Sequence, residues 1–83
     1  MSSINIILRT ADKTRKAEIQ INTDNTGADI IEGAVDNWAL PTDTDYNLVN
    51  TTTEEIVNPN SALGDNGVRD GHVLEIQPVL VAG

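Results

Sequence analysis

The chain has no cysteine and no phenylalanine, and Trp38 and Tyr46 are its only aromatic residues. Without cysteine there is no disulfide, no thiolate metal site and no cysteine nucleophile, which fits a reducing compartment. Two aromatics with no basic residues interleaved offer no surface on which bases could stack. Basic residues are also scarce. Arg9, Lys13, Arg15 and Lys16 precede a long stretch in which twelve acidic residues face one basic residue, Arg69, and the net charge is −8. Such a surface repels nucleic acid and anionic lipid, so neither nucleic acid nor membrane is expected as a partner. It suits a basic protein partner, or solubility alone. No apolar run approaches the length of a membrane span. Met1-Ser2-Ser3-Ile4 does not open a basic region followed by a long apolar segment, so no signal peptide is expected and the expected location is cytoplasmic.

What is present is enough for one small domain. A core built from 83 residues supplies only about 3–5 kcal/mol net, which leaves nothing for a second unit. Ile4-Asn5-Ile6-Ile7-Leu8-Arg9-Thr10 begins with alternation, placing Ile4, Ile6 and Leu8 on one side of a strand. Lys16 to Asn22 alternates again, with Ala17, Ile19 and Ile21 together. Two such strands around a short polar link predict a β-hairpin. Thr26 with Asp29 three places on resembles a capping box, with Asp in place of the usual Glu or Gln. The helix is predicted to run from Gly27 or Ala28 to Leu40, stopped by Pro41. Its apolar stripe is Ile30, Ile31, Ala34, Val35 and Trp38.

Tyr46 to Asn50 predicts a third strand with Tyr46 and Leu48 inward and Val49 outward. Thr51-Thr52-Thr53 makes a turn and Glu54 to Val57 a short return. Asp65-Asn66-Gly67 and Asp70-Gly71 are turn signals, since Gly and Asn accept positive φ cheaply. Val73-Leu74-Glu75-Ile76 is the last strand, with Leu74 and Ile76 facing one way and Val73 and Glu75 the other. Pro78 cannot donate to a ladder and marks the strand's end. The expected core is Ile4, Ile6, Leu8, Ile19, Ile21, Ile31, Val35, Trp38, Leu48, Leu63, Val68, Leu74 and Ile76. The domain is expected to span 1–78, with 79–83 as a flexible C-terminal tail.

Catalytic chemistry is hard to find. His72 follows a turn and has no nucleophile or acid in a recognisable motif, so an exposed strand start is the expectation. Glu54 and Glu55 are adjacent on a short strand and point apart. Asp43-x-Asp45-x-Asn47 with Glu54 at the twelfth place echoes a calcium loop. The sixth place requires glycine and holds Leu48, and Asn58-Pro59 forbids an exit helix, so the match is rejected. No metal, no cofactor and no enzymatic activity are expected.

The element order is an α+β pattern: a mixed four- to five-stranded sheet with one helix packed across it. The long helical crossover after the hairpin makes it economical to place the first and last strands side by side and parallel. That is the ubiquitin-like β-grasp arrangement. Within it, the sequence resembles the bacterial YukD-like family. The resemblance is carried by Tyr46 to Asn50 and by Asn58-Pro59-Asn60-Ser61-Ala62-Leu63-Gly64-Asp65-Asn66-Gly67-Val68-Arg69-Asp70-Gly71-His72 running into the last strand. In the Leu-x-x-x-Gly-Val-x-x-Gly spacing, Leu63 and Val68 would plug the open end of the sheet while the glycines make the turns. Set beside ubiquitin, Leu80 falls on the tail leucine and Ala82-Gly83 on the terminal pair, although Ala82 stands in place of a glycine and the tail lacks arginines.

The resemblance implies three readings. The first is a bacterial protein modifier, activated at the Gly83 carboxylate by an adenylating enzyme and conjugated to a target protein. Its partners would be that activating enzyme, a conjugating enzyme and a deconjugating protease. Ala82 and Gly83 would form the conjugation terminus, and Leu80 and Val81 would give the activating enzyme an apolar grip. The second is a non-covalent YukD-like component of a secretion system, and the third is a sulfur carrier. Partners of ubiquitin-like folds often use the sheet face opposite the helix, which here is expected to carry Ile7, Val49 and Val73.

Overall fold

The computed structural model describes residues 2–79. Strands β1 (Ser3–Thr10) and β2 (Lys16–Asn22) pair antiparallel from Ser3↔Asn22 to Arg9↔Lys16. Ile6 and Leu8 are buried and Ile4 half-buried, so the face read from alternation is the core face. The hairpin turn is organised by Asp12. Its Oδ1 accepts from Thr10 Oγ1 at 2.6 Å, from Thr14 Oγ1 at 2.7 Å and from the Thr14 amide at 3.0 Å.

Helix α1 (Gly27–Trp38) starts at an extended Thr26, and the capping box is reciprocal. Thr26 Oγ1 accepts from the Asp29 amide at 3.2 Å, and Asp29 Oδ2 accepts from the Thr26 amide at 3.1 Å. The helix ends before the expected Leu40. Ala39 adopts the left-handed conformation at φ 50°, and the Leu40 amide donates back to the Val35 carbonyl at 3.1 Å. Pro41 is therefore not the stop. A non-glycine in that region costs about 1 kcal/mol, which the packing of α1 on the sheet offsets.

The buried line of α1 is Gly27, Ile30 and Ala34. The stripe is thus rotated relative to the expectation that gave Ile31, Val35 and Trp38 to the core. Ile31 and Trp38 are half-buried against the core's edge, and Val35 is half-buried outside the central cluster. Gly27 lies so close to Pro59 and Val57 that a Cβ there would sit 3.0 Å from Pro59 Cα, so the first turn packs flush against that loop.

Strands β3 (Tyr46–Asn50), β4 (Glu55–Val57) and β5 (Val73–Pro78) complete a five-stranded sheet in the order β2-β1-β5-β3-β4. β1 and β5 are parallel neighbours in its middle, and every other neighbouring pair is antiparallel. The parallel pair follows from the crossover: a strand that leaves the hairpin through a helix returns most directly beside the first strand. β5 continues past Ile76 and ends at Pro78, the expected end. Gln77 pairs with Asn47, and Pro78, which needs no donor at the end of the ladder, pairs with Tyr46.

The loop from β4 to β5 closes the core. Leu63 and Val68 are both at 0 % exposure, as the plug reading required. The loop is tied back to the β2–α1 link by the Leu63 amide on Asn25 O at 2.7 Å and the Gly64 amide on Thr23 O at 3.0 Å. Asn66 rivets it internally, accepting from the Asn58 amide at 2.8 Å and donating to Ala62 O at 3.0 Å. Gly67 and Gly71 supply the two positive-φ turns, at 77° and 86°.

Candidate functional site

Ile7, Val49 and Val73 lie together on the sheet face away from α1, because their strand neighbours Leu8, Leu48 and Leu74 are all buried. Ile7 and Val73 are direct partners across the parallel β1–β5 pair. Val49 sits one step along, opposite Glu75 on one side and Ile56 on the other. Direct and diagonal neighbours on one sheet face are within reach of each other's side chains. All three are half-buried, so their apolar atoms are available without standing proud.

Ile56, not assigned to the patch from sequence, is 71 % exposed and extends it to the sheet edge. The signal for it was faint. In a three-residue strand, alternation means little until Val57 is known to point inward. A polar pair borders the apolar residues. Glu75 does lie on this outer face, yet it is only 9 % exposed, because Arg9 covers it with Nη2 3.2 Å from Oε2. Glu75 faces the side opposite Leu74 and Ile76, as expected, and is buried there under Arg9. Along one register the face reads Lys16, Arg9, Glu75, Val49, Ile56.

His72 is not an exposed strand start. It is half-buried, and its Nδ1 accepts from the Arg69 amide at 3.1 Å and lies 3.0 Å from Asn50 Nδ2. An amide N–H can only donate, so Nδ1 is the acceptor and the ring proton sits on Nε2. Asn50, at 1 % exposure, also accepts from the Thr52 and Thr53 amides through Oδ1. His72 and Asn50 thus hold the β3–β4 turn against the start of β5. Asp70 is likewise structural, accepting from the Asn5 amide at 2.8 Å.

At the other end of β5, the Val79 amide donates to Asp45 O at 2.8 Å, and Thr44 Oγ1 lies 3.4 Å from Val79 O. Leu80, Val81, Ala82 and Gly83, the expected tail contacts and conjugation terminus, lie outside the described residues. Among the described residues no group of three or more His, Cys, Asp or Glu side chains is placed to hold a metal ion, and no helix is long and apolar enough to cross a membrane.

No family model matches the chain. A search of curated proteins finds no match either. Solved structures do match. Ubiquitin of Caldiarchaeum subterraneum is 19 % identical with a TM-score of 0.78, over 99 % of this chain and 100 % of that one. A chain from tubulin-binding cofactor B of Trypanosoma brucei is 17 % identical with a TM-score of 0.74, over 98 % of this chain and 100 % of that one. A structure described as molecular mimicry of SUMO that promotes DNA repair is 20 % identical with a TM-score of 0.72, over 96 % of this chain and 94 % of that one. At these identities the likeness is one of fold. The chain is a ubiquitin-like β-grasp: one helix packed on a five-stranded mixed sheet, as the order of its elements implied.

Proposed function

We propose that this chain is a bacterial ubiquitin-like protein modifier, activated at the Gly83 carboxylate and conjugated to target proteins in the cytoplasm. The observation that carries the proposal is the whole-length ubiquitin-like fold, in which β5 is both a central strand and the last element before the apolar sequence Leu80-Val81-Ala82-Gly83. A terminal glycine suits a narrow activating channel, since it has no side chain and unrestricted φ. Any residues following Gly83 in a longer precursor would have to be trimmed first. The carboxylate attacks the α-phosphorus of ATP, releasing pyrophosphate and forming an acyl-adenylate. An enzyme nucleophile then displaces AMP, and a target amine or hydroxyl displaces that enzyme. The chain contributes no catalytic group, only a rigid body, a tail for the activating enzyme to grip at Leu80 and Val81, and the Ile7, Val49 and Val73 surface for conjugating enzyme or protease.

A second reading, a non-covalent ubiquitin-fold module of a secretion system as the YukD-like resemblance implies, draws on the same sheet face, whose exposed Ile56 needs no covalent chemistry to bind. Pyrophosphate exchange with an adenylating enzyme encoded beside the gene separates the two. The modifier reading expects exchange with the intact chain and none after deletion of Gly83, with unchanged melting. Equal exchange without Gly83, or no adenylating neighbour, would leave the non-covalent reading in its place. A sulfur carrier would instead yield a terminal thiocarboxylate, visible as a gain of about 16 Da by mass spectrometry.

A further inference from the structure

A second surface lies on the helix side of the molecule, away from the sheet face used above. Between α1 and β3 runs an open groove of ≈ 440 Å³. Ile31 and Val35 form one wall, Tyr46 and Pro41 the other, and Pro59 closes one end. This is where the rotated stripe of α1 leaves its surplus apolar side chains: Ile30 and Ala34 enter the core, while Ile31 and Val35 are half-buried in the groove.

The groove is held in shape from both ends. The Ala28 amide donates to Pro59 O at 3.1 Å, and the Tyr46 hydroxyl donates to Pro41 O at 2.8 Å. A groove whose walls are fixed before binding loses little entropy when filled. It is open along its length rather than enclosed, which suits an extended segment better than a small molecule, whose sites are clefts that bury most of it.

The rim is acidic. Glu32, Asp36 and Asp45 are all exposed and line it, and no lysine or arginine lines it. The ion pair found among the described residues, Arg9–Glu75, is elsewhere, so these three carboxylates are not neutralised. Four of the five basic residues belong to β1, β2 and the turn between them. An apolar floor under an uncompensated acidic rim is complementary to apolar side chains flanked by Lys or Arg.

We propose that the α1–β3 groove docks an extended basic segment of a partner protein, with one or two apolar side chains on the floor and Lys or Arg against Glu32, Asp36 and Asp45. A second copy of the chain is a poorer occupant, because it brings another net charge of −8. Docking here does not require conjugation: a modifier and a non-covalent module would both present this groove.

The test is an amide-shift titration of the full chain with the capped synthetic peptide Lys-Leu-Arg-Val-Lys, beside a control, Glu-Leu-Glu-Val-Glu. The expected result is saturable shifts across residues 31–36 and at Tyr46 with the basic peptide only, weakening with added salt. E32K/D36K, at two exposed positions, should lower affinity for the basic peptide by about tenfold or more and let the acidic peptide bind. E32Q/D36N should give a smaller loss in the same direction. The proposal is overturned if the basic peptide produces no shifts there, if shifts fall on Ile7, Val49 and Val73 instead, or if E32K/D36K binds it unchanged. It is equally overturned if the protein alone shows concentration-dependent shifts across both 13–16 and 31–36, which would make a second copy the occupant.

Discussion

Arg9 and Glu75 face each other across the two parallel central strands, Nη2 to Oε2 at 3.2 Å, on the open face of the sheet. Their side chains are 27 % and 11 % exposed, and Arg9 Nε is buried without a partner. The pair is therefore largely desolvated without being fully satisfied, an arrangement that is costly to break from one side and cheap to replace from both. Arg9→Ala should lower stability by about 1–3 kcal/mol, because it leaves Glu75 nearly buried and unpaired. Arg9→Met with Glu75→Leu should recover that loss to within about 1 kcal/mol. Urea unfolding of the two variants checks this, and a double variant less stable than Arg9→Ala would contradict it.

The β1–β2 turn should carry a measurable acid sensitivity. The Asp12 carboxyl is held down from its ordinary 3.8 to about 2, chiefly by the Thr10 hydroxyl and then by the Thr14 amide and hydroxyl. A folded pKa below the unfolded one means the stabilisation is complete above the ordinary value and fades as pH falls toward the lower one. Asp29 shifts the same way, led by the Thr26 amide of the capping box. Asp12→Asn should be less stable than wild type at neutral pH, and the gap should close as the pH approaches about 2. A gap that stays constant over that window would mean Asp12 contributes by shape alone.

Packing on α1 offers a sharp comparison between two residues of one helix. Ile30 is 8 % exposed in the core cluster, and Val35 lies half-buried beside the groove. Ile30→Ala should cost about 2–5 kcal/mol, as should Ile6→Ala or Leu74→Ala in the sheet. Val35→Ala should cost about 1 kcal/mol or less, since its methyls are only partly removed from water. Equal losses at Ile30 and Val35 in thermal melts would put the helix at a different rotation.

Ala39 holds a conformation that glycine adopts freely, at φ 50° and ψ 45°. Ala39→Gly should therefore stabilise the protein by about 1 kcal/mol, through relief of the backbone alone. Differential scanning calorimetry would register it as a rise in Tm, and a fall would show that the Ala39 methyl matters more than its backbone.

Asn50→Ala should cost about 1–3 kcal/mol, because the Thr52 and Thr53 amides lose their acceptor inside the fold. Hydrogen exchange localises the effect. Those two amides should exchange faster in Asn50→Ala and stay protected in His72→Ala, which leaves Asn50 Oδ1 in place. Protection unchanged in Asn50→Ala would remove Asn50 from its assigned role.

Much of the architecture could be read from local pattern. Alternation in β1, β2 and β3 fixed which side chains face inward, and Thr26 with Asp29 marked the helix start, because each signal depends on residues a few places apart. Leu63 and Val68 were legible as plugs for a related reason: isolated aliphatics between glycine turns have few ways to be buried. The candidate surface was only partly legible. Ile7, Val49 and Val73 followed from strand parity, but Ile56 sits in a strand too short to show any.

By itself, then, the sequence determined the order of elements, the inward faces of β1, β2, β3 and β5 and the parallel return of β5 beside β1, since these follow from periodicity and chain connectivity. Tertiary structure decided what depends on a partner far along the chain. Glu75 is buried because Arg9 lies opposite it, and His72 is a ligand of Asn50 because the β3–β5 register brings them together. The rotation of α1, and hence the groove it leaves beside β3, was decided by how Ile30 and Ala34 pack into the core formed with the sheet. A helical stripe five residues broad specifies a direction only to within a residue or so, and contact between surfaces selects the angle.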